Sequence, residues 1–131
     1  FRRVLFRSDL DSDGDLEIIF GSFDGKLYVV SSNGSQKMAY TAGGNIVGAP
    51  ALYDINGDGN LEIIFTTQDS DNGKVYVITH TGTDLSGFPL SLGEDMLVGA
   101  AVGDLDGDGN PEIVVATWEN NIMQFSPMVR L

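Results

Sequence analysis

The chain alternates short apolar runs with turns that are rich in aspartate and glycine. The runs at residues 16–20, 61–65 and 111–115 read LEIIF, LEIIF and PEIVV. They are rich in β-branched residues and too short for buried helices, so each of them predicts a β-strand. No window of the sequence combines a helical period with capping residues. The pattern therefore predicts an all-β protein.

Further strands are expected at regular distances from these runs. KLYVV at residues 26–30 and KVYVI at 74–78 each follow a turn that ends in Asp-Gly or Asn-Gly, the dipeptides that favour tight hairpins. Residues 46–53 and 97–102 are rich in Gly and Ala, which suits inner strands that pack closely near an axis. A fourth, weaker strand is expected in two of the units, at residues 36–41 and near residues 85–90.

Three segments of the chain repeat one pattern. They read DLDSDGDLEIIF, DINGDGNLEIIF and DLDGDGNPEIVV and begin at Asp9, Asp54 and Asp104, which are 45 and then 50 residues apart. Self-similarity at this spacing indicates an array of similar supersecondary units. Four strands in about 45 residues is the size of a propeller blade. We therefore predict a fragment of a β-propeller, with two to three four-stranded antiparallel blades and repeats at approximately residues 9–45, 46–95 and 96–131.

The first eight residues are expected to be an artefact rather than native sequence. They read FRRVLFRS, which is the translation of a common sequencing adapter in one reading frame. The alternative is a genuine short strand, VLF between arginines. We separate residues 1–8 from the propeller segment at residues 9–131, and we infer nothing about localisation from the missing initiator Met or signal peptide.

Composition narrows the functional classes. The 131 residues include 7 Lys+Arg against 19 Asp+Glu, a net charge of −12. Without Arg2, Arg3 and Arg7 of the adapter-like segment, four basic residues remain and the net charge is −15. This acidity argues against nucleic-acid binding, and no apolar run approaches the ~18 residues of a membrane span. The absence of Cys and the single His exclude disulfide scaffolds, thiolate nucleophiles and multi-His metal centres.

The acidic loops of the three repeats carry the candidate chemistry. We name them loop 1 (residues 9–17), loop 2 (residues 54–62) and loop 3 (residues 104–112). Each has oxygen-bearing side chains at its positions 1, 3, 5 and 9, and glycine at position 6. Alternate acidic side chains in a tight loop face one point and repel one another unless a cation binds there. Ca²⁺ accepts six to eight oxygen ligands, so we expect up to three Ca²⁺ ions, one per loop.

The candidate ligands follow from these positions, with position 7 contributing only its backbone carbonyl. Loop 2 has Asn56 where the other loops have aspartate, so we expect it to bind Ca²⁺ most weakly. The metal ligands predicted are Asp9, Asp11, Asp13, Asp15 and Glu17 in loop 1, Asp54, Asn56, Asp58, Asn60 and Glu62 in loop 2, and Asp104, Asp106, Asp108, Asn110 and Glu112 in loop 3.

The loops differ from EF-hands and resemble another calcium-binding repeat. An EF-hand has a bidentate Glu at position 12 within a helix-loop-helix, whereas position 12 here is Phe20, Phe65 or Val115 and the flanks are strands. The pattern D-x-[DN]-x-D-G-x-x-E, repeated three times, resembles the FG-GAP (integrin-α-like) and VCBS repeats. That resemblance covers nearly all of residues 9–126. One departure is Glu at position 9, where integrin loops usually carry Asp.

The resemblance implies a calcium-binding β-propeller of a secreted or cell-surface protein, with further blades of the same protein as partners. Extracellular modules bind Ca²⁺ with dissociation constants of ~0.1–1 mM, which also suits an extracellular location. We expect a non-enzymatic module in which structural Ca²⁺ supports adhesion or the binding of a protein or carbohydrate. The alternative is a non-catalytic or partly catalytic propeller segment of a secreted enzyme, such as a polysaccharide lyase or peptidase.

Two observations favour binding over catalysis. Nearly every clustered acid is already assigned to a metal loop, and the sequence has no nucleophile elbow or phosphate-binding motif.

Trp118 beside Glu119 can stack on a sugar, although the alternative is that Trp118 packs within a blade.

Overall fold

A computed structural model describes residues 6–69, 72–96, 98–119 and 121–127. In this part of the chain, eleven strands form three antiparallel sheets, which we call blades. Blade 1 consists of β1 (Phe6–Ser8), β2 (Glu17–Gly21), β3 (Lys26–Val30) and β4 (Gln36–Thr41). Blade 2 consists of β5 (Ala51–Tyr53), β6 (Glu62–Thr66), β7 (Lys74–Ile78) and β8 (Leu90–Ser91). Blade 3 consists of β9 (Ala101–Gly103), β10 (Glu112–Ala116) and β11 (Ile122–Phe125).

The prediction of an all-β chain built from repeated blades is confirmed. Within each blade, strands that are consecutive in the chain are hydrogen-bonded neighbours. The register is the same in each repeat, since Ser8, Tyr53 and Gly103 each pair with the glutamate that begins the second strand. None of the described residues forms a helix that is long and apolar enough to cross a membrane.

Some predicted strand boundaries are wrong. The fourth strand of blade 2 is confined to Leu90–Ser91, because Gly87 adopts a positive φ of 92° and Pro89 has no amide hydrogen to donate to a ladder. The inner strands begin at Ala51 and Ala101, later than expected, because the residues before them cross between blades. Leu97, within the second predicted inner strand, lies outside the described residues.

Part of the adapter-like segment pairs with blade 1. Phe6–Ser8 form β1, which is antiparallel to β2, whereas residues 1–5 lie outside the described residues. Strand pairing joins backbone groups and does not depend on particular side chains. The assignment of residues 1–8 as an artefact therefore stays a prediction.

The core lies between the blades, and blade 2 is buried on both faces. Successive side chains of a strand point to opposite faces. Accordingly, Ile63 and Phe65 of β6 pack toward blade 1, and Ile64 between them packs toward blade 3. The first interface is formed by Leu10, Ile19, Leu27, Val29, Ile46, Ile63, Phe65, Tyr76 and Ile78. The second is formed by Ile55, Ile64, Val75, Val77, Met96, Ile113 and Val115.

Two glycines allow neighbouring blades to approach backbone to backbone near their inner strands. A Cβ atom on Gly48 would overlap the backbone of Gly99, and a Cβ atom on Gly99 would overlap the carbonyl oxygen of Ala49. Backbone atoms cannot change rotamer as a flexible side chain can, so any larger residue at these positions must displace the backbone of the neighbouring blade. The expectation that these Gly-rich and Ala-rich stretches pack closely is confirmed.

The Gly48→Ala variant is expected to destabilise the fold by about 3 kcal/mol, since the added methyl overpacks against backbone atoms. Gly103→Ala is the matched control, because a Cβ atom on Gly103 meets nothing within 4 Å and its φ is not in the left-handed region. The control is expected to change the unfolding free energy by less than about 0.5 kcal/mol. Urea denaturation measures both values, and equal losses in the two variants would contradict the close approach.

Candidate metal centre

Each acidic loop joins the first and second strands of its blade, so the three loops lie at the same end of their blades. Loops 1 and 2 are in contact across the first interface. The backbone N–H of Leu61 donates to the carbonyl oxygen of Leu10 at 3.4 Å, and the Ser12 hydroxyl donates to the carbonyl oxygen of Gly59 at 3.4 Å. The candidate sites therefore form a row along one end of the packed blades.

The carboxylate at position 1 organises each loop from within. In loop 1, Asp9 accepts the backbone N–H groups of Asp13 at 3.0 Å and Gly14 at 3.1 Å. Asp54 and Asp104 accept the corresponding glycine N–H groups, at 2.9 and 3.0 Å. The three glycines at position 6 have φ values of 91°, 88° and 91° in chain order. Other residues resist this left-handed conformation, which explains glycine at this position.

Position 4 distinguishes loop 1 from the other two. Gly57 and Gly107 adopt positive φ there, and the N–H of each donates to its position-1 aspartate at 2.7 Å. Ser12 occupies the same position in loop 1 with a φ of 59°, the one positive φ of a non-glycine residue in the part of the chain described. A side chain in this region is sterically disfavoured, so loop 1 carries local backbone strain.

The glutamate at position 9 ties the loop to the second strand. Glu17, Glu62 and Glu112 are 0%, 0% and 2% exposed. One carboxylate oxygen, Oε2, accepts the backbone N–H of the residue at position 2, at 3.0, 2.9 and 2.8 Å in chain order. Sequence reasoning predicted these residues as ligands and missed this clamp. The structure leaves Oε1 as the oxygen with which each glutamate can bind a metal.

The aspartates at positions 1, 3 and 5 converge in loops 1 and 3. In each of these two loops, one ligand oxygen per aspartate lies within 4.8 Å of the others. The Oδ1 atom of Asp11 is buried and has no hydrogen-bond partner in the described part of the chain. A set of carboxylate oxygens with an unsatisfied acceptor fits a hard cation such as Ca²⁺.

Loop 2 has the same shape with different chemistry at position 3. The Asn56 side-chain amide donates to Asp58 Oδ2 at 3.1 Å and to Glu62 Oε1 at 3.1 Å. Its own Oδ1 accepts the Asp58 N–H at 2.8 Å. The amide thus links the carboxylates of positions 5 and 9 by hydrogen bonds, where loop 3 has a third aspartate, Asp106, at position 3.

Residues at position 7 stabilise the position-5 carboxylate. The backbone N–H groups of Asp15, Asn60 and Asn110 donate to Asp13, Asp58 and Asp108 at 2.9, 2.8 and 2.7 Å. These bonds favour the ionised carboxylates and lower their pKa values. Their stabilising contribution is present above the ordinary aspartate pKa and is lost as the pH falls through the lowered values. The proposed metal contact through the position-7 carbonyl stays a prediction.

Burial acts in the opposite direction on the glutamate of loop 2. Desolvation raises the pKa of Glu62, although the N–H groups of Ile55 and Asn56 partly offset the effect. Protonation of Glu62 is therefore favoured in the folded state, and its contribution to stability diminishes as the pH rises through the raised pKa. Burial therefore makes the ionisation of Glu62 less favourable in the folded chain than in the unfolded chain.

A basic side chain from β4, which sequence reasoning did not single out, lies against the carboxylates of loop 1. The Lys37 ammonium, carried by β4, lies 2.8 Å from Glu17 Oε1, 3.0 Å from Asp11 Oδ2 and 3.2 Å from Asp13 Oδ2. The hydrogen bond to Glu17, together with those to the aspartates, raises the pKa of Lys37. Only the pairing of β4 with β3 brings this residue to the loop, so no local motif could have found it.

Trp118 lies at the end of the blades opposite to the acidic loops, in the turn between β10 and β11. Its side chain is 63% exposed, so it does not pack within a blade among the described residues. It lines a hollow of about 200 Å³ together with Gln68, Asp95 and Glu119. An exposed indole beside polar acceptors can contact a ligand by its apolar face and by hydrogen bonding at its edge.

Comparison with known families agrees with the repeat unit. A family model described as FG-GAP-like repeat matches the chain twice, over residues 9–65 and 54–115. Each match begins at the first aspartate of one loop and ends in the strand that follows the next loop. No curated protein matches the sequence.

Relief of the strain in loop 1 is expected to stabilise the chain. Ser12→Gly should raise the unfolding free energy by about 0.5–1 kcal/mol, since glycine adopts the positive φ without steric penalty. The reciprocal Gly107→Ser variant should lower it by a similar amount. Urea denaturation in EDTA measures both, and changes of the same sign would show that position 4 is not the strained residue.

Loss of the glutamate clamp is expected to destabilise blade 3 without any metal present. Glu112→Ala leaves the Leu105 N–H without its acceptor and should cost about 1–3 kcal/mol in EDTA. Glu112→Gln keeps a carbonyl oxygen for that N–H and removes only the charge. Urea denaturation should therefore separate the two variants, and an equal loss in both would mean that charge rather than the clamp matters.

Proposed function

Because the chain belongs to the FG-GAP-like repeat family, we propose that it is a calcium-binding module of propeller-like blades in which the ions stabilise the acidic loops. The observation that carries this proposal is the convergence of three aspartates in loop 1 and again in loop 3. In loop 3, the ion would be held by Asp104, Asp106, Asp108 and Oε1 of Glu112, with the carbonyl of Asn110. Bound Ca²⁺ supplies the positive charge that offsets the mutual repulsion of these groups.

A structural role for the ion follows from where the loops lie. Each loop connects two strands of one blade, and its glutamate is anchored to the backbone at the point where the second strand begins. A cation that binds the folded loop and not the unfolded chain stabilises the fold by mass action. Among the described residues, the groups of three acids that converge are those of the loops, which supports a non-enzymatic module over a catalytic one.

We propose an extracellular location, in a secreted or cell-surface protein. Modules that bind Ca²⁺ with dissociation constants of about 0.1–1 mM are filled outside the cell and empty at cytosolic concentrations. The loops are short and largely exposed, which suits this weak range rather than that of a buried high-affinity site.

We propose that the module serves adhesion or the recognition of a protein or carbohydrate. The exposed Trp118 and its polar neighbours Gln68, Asp95 and Glu119 form a surface of the kind that binds such ligands. This surface lies at the opposite end of the strands from the loops. Ion binding and partner binding would therefore use different ends of the blades.

The test is a calcium titration of the 131-residue chain, with Mg²⁺ as a competitor. Calorimetry gives the stoichiometry, and the amide resonances of Gly14, Gly59 and Gly109 report loops 1, 2 and 3 separately. These N–H groups donate to the position-1 aspartates, so their chemical shifts respond to changes at the site. Saturable binding that prefers Ca²⁺ over Mg²⁺ and raises the melting temperature is the expected result.

Asp106→Asn and Asn56→Asp are matched variants, because the chain itself accommodates either residue at position 3 with the same backbone hydrogen bond. Asp106→Asn should weaken Ca²⁺ binding at loop 3 by about tenfold, and Asn56→Asp should strengthen it at loop 2 by a similar factor, since ligand charge sets affinity. A folded chain whose three glycine amides do not respond to Ca²⁺ would overturn the proposed function.

A further inference from the structure

The Lys37 ammonium lies among the carboxylates of loop 1 and contacts three of them. Its ammonium donates to Asp11, Asp13 and Glu17 at 3.0, 3.2 and 2.8 Å. Glu17 has a side-chain exposure of only 1%, so this ion pair is shielded from water on one side. An ammonium has three donors, and here each of them reaches a different candidate metal ligand.

The backbone of β4 is irregular at the residue that supplies this ammonium. Met38 pairs with Val29 and Gln36 pairs with the next residue, Val30, so Lys37 is the extra residue of a β-bulge. A bulge changes the direction of a side chain relative to the regular ladder. The position of Lys37 at the loop therefore depends on a specific feature of the blade and not on a long side chain that happens to reach an acid.

The other loops have no ammonium at the corresponding place in the part of the chain described, where all three ion pairs belong to Lys37. In loop 2, the neutral amide of Asn56 contacts Asp58 and Glu62. In loop 3, the Ser126 hydroxyl donates to Glu112 Oε1 at 3.3 Å. Within the described part of the chain, the carboxylates of loop 1 are therefore the ones that form ion pairs with a lysine.

This difference changes the expected order of the loops. Counting positions 1, 3, 5 and 9, loops 1 and 3 have four acids each and loop 2 has three. Lys37 lowers the net count in loop 1 from −4 to −3, equal to loop 2. A divalent ion entering loop 1 must also displace a tethered ammonium that is already hydrogen-bonded to three ligands. Loop 1, and not loop 2, is then expected to bind a divalent ion most weakly.

We propose that the Lys37 ammonium is the resident cation of loop 1, where it offsets part of the charge of the acidic ligands without metal and competes with a divalent ion for them. Loop 1 then closes in the absence of Ca²⁺, and loop 3 takes up Ca²⁺ at lower concentration than loop 1. The second statement rests on the proposed calcium function, whereas the first does not. Lys37 leaves the buried Oδ1 of Asp11 without a hydrogen-bond donor. A Ca²⁺ ion could bind this oxygen as well, which favours replacement of the lysine at high Ca²⁺ concentration.

The test compares Lys37→Met with Lys26→Met in the full chain. Lys26 is at the start of β3 and is not among the ion-paired residues described, so its variant controls for loss of one positive charge. In EDTA, Lys37→Met is expected to lower the melting temperature by about 5 °C more than the control does. In a Ca²⁺ titration followed by NMR, the Gly14 amide of Lys37→Met is expected to respond at about tenfold lower Ca²⁺ than in the parent. The Gly109 amide should respond at an unchanged concentration.

Lower stability in EDTA combined with tighter calcium binding at one loop is a signature that general damage to the fold does not produce. Lys37→Arg keeps the charge and should retain most of the parent's melting temperature in EDTA. Equal melting temperatures for Lys37→Met and Lys26→Met, or a Gly14 response that does not move, would overturn the inference. If Lys37→Met is unfolded in EDTA, saturating Ca²⁺ should restore its fold, and failure to do so would equally overturn it.

The two proposals fail in different ways. If no glycine amide of the folded parent responds to Ca²⁺, the calcium function is wrong, and the melting temperatures in EDTA still decide whether Lys37 is the cation of loop 1. If Gly109 and Gly59 respond but Gly14 responds at the same concentration in the parent and in Lys37→Met, the calcium function stands and the role of Lys37 is wrong.

Discussion

In loops 1 and 2, the hydrogen bond from the second residue of the loop to the buried glutamate links the charged end of a blade to its apolar interior. The glutamate begins the second strand, and the residue that it holds, Leu10 or Ile55, inserts its side chain into the interface with the next blade. The loop and the core are therefore not independent, because a disturbance of the carboxylates reaches the interface through one residue. A cation in the loop would act on the packing between blades by the same route.

Much of the fold follows from the sequence because the three repeats reinforce one another. The runs LEIIF and PEIVV give the second strands, and the acidic residues at alternate positions give the loops, since both signals are local. Strand ends were predicted less well where backbone geometry decides, as at Gly87 and Pro89 before β8. The inner strands were expected too early, since Gly48 and Gly99 serve the contact between blades rather than the ladder within one.

The features that sequence reasoning missed differ in whether the sequence carries a signal for them. Lys37 reaches loop 1 through the register of β3 and β4 and through an irregularity of one residue. The clamp by Glu17 could be recognised only once its side chain was seen to turn back onto its own loop. Ser12 is visible in the sequence as a departure from the glycine at position 4 of loops 2 and 3, and this signal could have been used.

Because blade 2 is buried on both faces, the three blades form a linear array in which each blade contacts only its neighbours. Three blades share two interfaces, so the middle blade contributes to both and each outer blade to one. In a linear array of this kind, stability is approximately the sum of the folding of each unit and of its nearest-neighbour contacts. A further unit brings one interface with it, whereas closing the array into a ring adds an interface with no additional residues. The cooperativity of unfolding therefore depends on the interfaces between adjacent blades. Unfolding is expected to start at units that have only one such interface.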